Sequence, residues 1–93
     1  MSRFTVRVEL HAANEADYQR LHTAMANQGF SRVIAGSDGK SYHLPTAEYD
    51  YTSTDSVSDV RDRAHAVASN VKQKPAVLAT EGARAWQGLQ QVT

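Results

Sequence analysis

Residues 4–28 read FTVRVELHAANEADYQRLHTAMANQ, and the change of period inside them decides the fold. Phe4, Val6, Val8 and Leu10 alternate with Thr5, Arg7, Glu9 and His11. Only an extended strand puts such a set on one face, so the chain opens with a half-buried strand. The spacing then lengthens. Tyr18, Leu21, Met25 and Gln28 recur at helical intervals behind Asn14, a good cap, with Asp17 three positions after it. A first helix is expected over 15–28, closed by Gly29, which accepts the left-handed conformation that commonly ends helices.

Downstream, residues 30–35 return to an extended, β-branched pattern and predict a second strand. Ser37, Asp38, Gly39 and Lys40 form a turn signal, because Gly39 tolerates positive φ and the aspartate can bond the turn backbone. A short extended piece follows over 41–44, and Pro45 interrupts any central ladder. Glu48, Tyr49, Asp50, Tyr51 and Thr52 alternate acid and ring, predicting a third strand with Tyr49 and Tyr51 on one face. Ser53, Thr54 and Asp55 are capable caps for a second helix, in which Val57, Val60, Ala64, Val67 and Val71 repeat every three or four residues before Pro75. The apolar run at 76–80 predicts a buried fourth strand, and the tail over 81–93, with Arg84 and Trp86, carries no clear period.

The order β, α, β, β, α, β is the ferredoxin-like α+β sandwich, an antiparallel sheet with both helices on one face. Val6, Val8, Leu21, Met25, Val60, Ala64, Val67 and Leu78 are the expected core. The other sheet face is left to solvent, to the tail or to a second copy, so a homodimer is expected, by sheet-to-sheet packing first and edge pairing second.

At 93 residues, a single domain over 1–93 is expected. The chain has 41% hydrophobic and 22% charged residues, an ordinary globular balance. Ten basic and ten acidic side chains cancel, which disfavours nonspecific DNA binding. Without cysteine there is no disulfide, thiolate zinc site or thiol nucleophile. The longest apolar run, Ala76 to Ala79, is far below the ~20 residues of a membrane span. The N-terminus lacks the apolar centre of a secretory signal, so a cytoplasmic location and no membrane partner are expected. No GxGxxG, GxxxxGK, GxSxG or HExxH occurs, and no cofactor or metal is expected.

Phe30 and Ser31, then Gly39, Leu44 and Tyr49, together with FTVRVELH (4–11), GSDGKSYHLPTAEY (36–49) and VLATEG (77–82), resemble the GhoS-like antitoxins of type V toxin–antitoxin systems. The resemblance spans most of the chain. It implies a small ferredoxin-like endoribonuclease, similar in fold to the CRISPR-adaptation ribonucleases, that cleaves the message of a membrane-active toxin. Single-stranded RNA is then the implied partner. The matching positions are glycine, serine and apolar or aromatic residues, so the resemblance carries over no catalytic group.

Metal-free RNA cleavage requires a base for the 2′-hydroxyl proton, an acid for the leaving oxygen and a cation for the phosphate. His43 and Arg32, near the hairpin with Asp38 and Lys40, are one candidate set; His11 and Glu9 at the end of the first strand are the other. Lys40, Tyr49 and Tyr51 are candidate RNA contacts, the rings as stacking platforms, against the plainer expectation that they fill the core or a dimer interface. Trp86 with Arg84 reads as an RNA platform or as a lid on the sheet. His22 and His65 lie beside the apolar helix stripes and are expected on the surface. Two readings compete with the ribonuclease: a noncatalytic homodimeric binding module and a small-molecule sensor. A basic groove passing His43 or His11 would favour the ribonuclease.

Overall fold

A computed structural model describes residues 1–93. The elements run β1 (Ser2–Glu9), α1 (Glu15–Asn27), β2 (Val33–Ala35), β3 (Ser41–His43), β4 (Glu48–Ser53), α2 (Val57–Val71) and β5 (Ala76–Glu81). β1 is central, antiparallel to β4 on one side and to β5 on the other, while β2 and β3 form a separate hairpin. Ser31 forms an antiparallel bridge to Asp50 along the outer edge of β4, giving the ferredoxin-like order.

The expected second strand over 30–35 divides at Arg32. The Ser31 hydroxyl bonds both Val33 N and Val33 O at 3.1 Å, a local bend that competes with a straight ladder. Ser31 stays with the sheet, and β2 leaves it to pair with β3. The turn forms at the predicted place, with Gly36 N donating to Lys40 O at 2.8 Å, Lys40 N donating to Asp38 Oδ1 at 3.0 Å, and Gly39 at φ +80°.

Asn14 caps α1 in a reciprocal box: Asp17 N donates to Asn14 Oδ1 at 2.9 Å, and Asn14 N donates to Asp17 Oδ2 at 3.1 Å. That backbone bond, helped by Lys72 and Arg20, holds the Asp17 carboxyl below its ordinary range against the opposing effect of desolvation. Lys72 Nζ, 3.4 Å from Asp17 Oδ2, joins the start of α1 to the end of α2. The cap of α2 is Ser56, whose hydroxyl accepts from Asp59 N at 3.1 Å, rather than one of residues 53–55. The Ser53 hydroxyl instead accepts from Asp55 N at 2.9 Å, so the chain turns once more before the helix begins.

Phe4, Val6, Val8 and Leu10 of the first segment, with Tyr49 of β4, meet Leu21 and Met25 of α1, Phe30, and Val60, Ala64 and Ala68 of α2 in one core. Val67 packs half-buried at its rim, and Ala68 takes the fully buried position. Leu78 is a correction: it is 65% exposed, and β5 is not a buried strand. Val77 and Ala79 pack against the core, so Leu78 points to the opposite face. A continuous apolar run suggests burial on both faces, but β5 is an edge strand with only one face covered.

Candidate functional site between the tail and the hairpin

Strand alternation and pairing register give the uncovered sheet face its side chains. Arg3, Thr5, Arg7 and Glu9 lie along the centre, flanked by Glu48, Asp50 and Thr52 on β4 and by Ala76, Leu78 and Thr80 on β5. The tail crosses this face. Gly82 N donates to Arg3 O at 3.0 Å, and Arg84 Nη1 donates to Phe4 O at 3.0 Å and to Thr5 Oγ1 at 3.3 Å. The same nitrogen lies 2.6 Å from Asp50 Oδ1, an ion pair without hydrogen-bond alignment. Further on, His43 N donates to Gln90 O and Val92 N to Ser41 O, both at 2.9 Å, so the end of the tail lies beside β3 as a third strand of the hairpin.

Between the two anchors the tail, the hairpin and the start of β1 enclose a cleft of about 460 Å³, lined by Arg3, Ala35, Gly36, Ser37, Asp38, Tyr42, Arg84, Ala85 and Trp86. The Tyr42 and Trp86 rings stand 5.8 Å apart at 59°. The Tyr42 hydroxyl donates to Asp38 Oδ2 at 2.7 Å. This bond, with those from the turn backbone, lowers the Asp38 pKa below its ordinary value and raises that of the Tyr42 phenol. Gly36 lets the three side chains close together: a Cβ there would meet Asp38 Oδ1 at 2.7 Å, Tyr42 at 3.3 Å and Trp86 at 3.4 Å. The cleft therefore combines two guanidiniums, two aromatic walls and one ionised carboxylate. Guanidiniums match phosphate oxygens, and aromatic faces accept any base, so the combination suits a nucleotide chain.

The candidate residues named from sequence do not gather in this cleft. His43 is exposed on β3, next in the strand to Tyr42 and therefore on the other face of the hairpin. Arg32 lies with His22, Ala26, Gly29, Phe30 and Ser31 along a shallow groove on the α1 side. His11 is exposed after β1, and Glu9 is exposed on the open face opposite Ala76. No hydrogen bond or ion pair links the side chains of these four residues. Lys40 is exposed in the turn next to the cleft wall.

The expectation of a tyrosine platform is corrected by burial. Tyr49 is wholly inside the core, and Tyr51 is packed on it, stacked on Phe30 with ring centroids 4.2 Å apart. Both rings face the helices, leaving Glu48 and Asp50 on the open side. His22 is a second correction, only 8% exposed, with its Nδ1 2.7 Å from the Tyr49 hydroxyl. It widens the buried stripe of α1, where Tyr49 supplies the polar partner that a buried imidazole requires. Desolvation, then the nearby Arg32 charge, lowers the His22 pKa, and desolvation pushes the Tyr49 phenol up to about 12. His65 is exposed on α2, as expected.

Arg3 belongs to no motif, although its place in the alternation with Thr5 and Arg7 puts it on the solvent face of β1. Arg84 and Trp86 are both lid and cleft wall. Among known proteins, a family model described as Endoribonuclease GhoS matches residues 1–87, a span that contains every residue of the cleft. No curated protein matches the chain.

Proposed function

The chain belongs to the GhoS endoribonuclease family, and on that premise we propose that it is an antitoxin that cuts the single-stranded message of a toxin in the cleft between tail and hairpin. The observation that carries this reading is the convergence of Arg3 and Arg84 with the Trp86 and Tyr42 rings in one cleft. The guanidiniums hold the scissile phosphate and offset the charge that develops on its oxygens. A neighbouring base stacks on Trp86. Asp38, the one carboxylate lining the cleft and held ionised by its bonds from Tyr42 and the turn backbone, orients the 2′-hydroxyl by accepting its hydrogen bond as that oxygen attacks phosphorus, and the proton passes to water. The bond from phosphorus to the 5′ oxygen breaks, leaving a 2′,3′-cyclic phosphate on one fragment and a 5′-hydroxyl, protonated from water, on the other. The acting form is a cytoplasmic homodimer. No helix is long and apolar enough to cross a membrane.

The purified protein should therefore cut single-stranded RNA in EDTA, since arginines supply the positive charge. Products ending in cyclic phosphate are the expected result. His43 is the alternative base, because its side chain is exposed and makes no hydrogen bond. His43→Ala should leave the rate within about threefold, and a fall of about 10² would assign proton transfer to His43. RNA bound but left intact, across several substrates including toxin message, would replace this reading with the noncatalytic binding module.

A further inference from the structure

β5 pairs with β1 along one edge and packs on α2 through one face, and no other element covers its second edge. Gly82 N donates to Arg3 O, opposite it in the ladder. Backbone groups alternate sides along a strand, so those of Thr80, Leu78 and Ala76 also face β1, while those of Val77 and Ala79 point outward. At the opposite side of the sheet, Ser31 covers β4. Exposed edges are normally guarded by charge, proline or a bulge, yet residues 76–80 read Ala-Val-Leu-Ala-Thr, with none of the three. At the middle of this unguarded edge sits Leu78, 65% exposed.

We infer that β5 is a self-pairing edge, along which two copies of the chain join their sheets antiparallel about a two-fold axis at Leu78. In this register Leu78 faces Leu78 of the partner subunit in a non-hydrogen-bonded pair, the closer of the two antiparallel pair types. Val77 faces Ala79 of the partner subunit, and the two outward-pointing backbones exchange both of their hydrogen bonds, once on each side of the axis. Every directly paired residue over 76–80 is uncharged. Glu81 falls opposite Pro75 of the partner subunit, beside Lys74 of the partner subunit, which adds charge complementarity at both ends. The axis stands perpendicular to the sheet, so the two tail clefts open on the same side of one continuous surface.

The inference rests on the homodimer reading above and not on RNA cleavage. Light scattering at tens of micromolar should give a dimer for the wild type. Leu78→Lys and Leu78→Glu each place like charges across the axis and should weaken the dimer about tenfold or more. An equimolar mixture of the two should restore a heterodimer. Leu78 is exposed, so both variants should keep the wild-type circular dichroism spectrum. A wild-type monomer would overturn the homodimer and the interface together. A dimer that persists unweakened in Leu78→Lys, or variants that fail to pair when mixed, would overturn the interface and leave the homodimer standing.

Discussion

Arg84→Gln should lower the rate of single-stranded RNA cleavage by about 10² or more, the usual cost of removing a charge-stabilising donor from a reacting centre. The guanidinium has five N–H donors, and only Nη1 is engaged with Phe4, Thr5 and Asp50. The remaining donors can meet a phosphate without releasing the tail. Glutamine keeps a donor of similar reach but loses the charge and the fork. Because Arg84 also anchors the tail, the substitution alone does not separate chemistry from structure. Arg3→Gln does: the Arg3 side chain has no ion pair or hydrogen bond to lose, so its removal should cost about tenfold in rate with the melting temperature unchanged. Arg84→Lys, which restores charge without bidentate geometry, should fall between the two. Wild-type rates in both glutamine variants would remove the arginines from the mechanism.

Val60→Asp should unfold the protein. Val60 is completely buried on the sheet-facing side of α2, and a carboxylate there has no partner. The cost is several kcal/mol, against a total stability of about 5 to 14 kcal/mol for a chain of this size. Thermal denaturation followed by circular dichroism should show the transition lost or lowered by about 20 °C or more, at roughly 4 to 8 °C per kcal/mol. Val67→Asp, two turns away and half-buried, leaves its carboxylate partly hydrated and should cost less than half as much. Equal melting points for Val60→Asp and the wild type would contradict the placement of α2 on the sheet.

The parts of this molecule legible in the sequence are those governed by local period or local chemistry. The alternation of Phe4 to Leu10, the Asn14 box and the Ser37 to Lys40 turn each declare themselves within a few residues. What escaped depends on partners far along the chain. Leu78 reads as core because an apolar run does not say whether one face or two are covered. His22 reads as surface because the residue that makes its burial tolerable, Tyr49, is on another element. Alternation puts Tyr51 and Asp50 on opposite faces of β4, but which face is buried is known only from the register with Phe4 and Thr5.

The cleft was harder still, for the tail has no period and its course is set by single interactions. Arg84 is seated by Thr5, Asp50 and the carbonyl of Phe4, and residues 90–92 by the free edge of β3. Pairings of such sequence separation leave no pattern in composition or spacing. The hairpin does border the cleft, through Ala35, Gly36, Ser37, Asp38 and Tyr42. The cleft's other lining residues are Arg3 and the tail, while His43 and Arg32 lie outside it.

The most direct test of the RNA seat uses Trp86, the only tryptophan in the chain. A single-stranded RNA oligonucleotide made uncleavable by 2′-O-methyl groups is titrated into the protein while tryptophan emission and oligonucleotide anisotropy are recorded together. Stacking of a base on the indole predicts saturable quenching that tracks the anisotropy, with both curves weakened in Arg84→Gln. Binding seen by anisotropy with tryptophan emission unchanged would place the RNA elsewhere and contradict the assignment of the cleft.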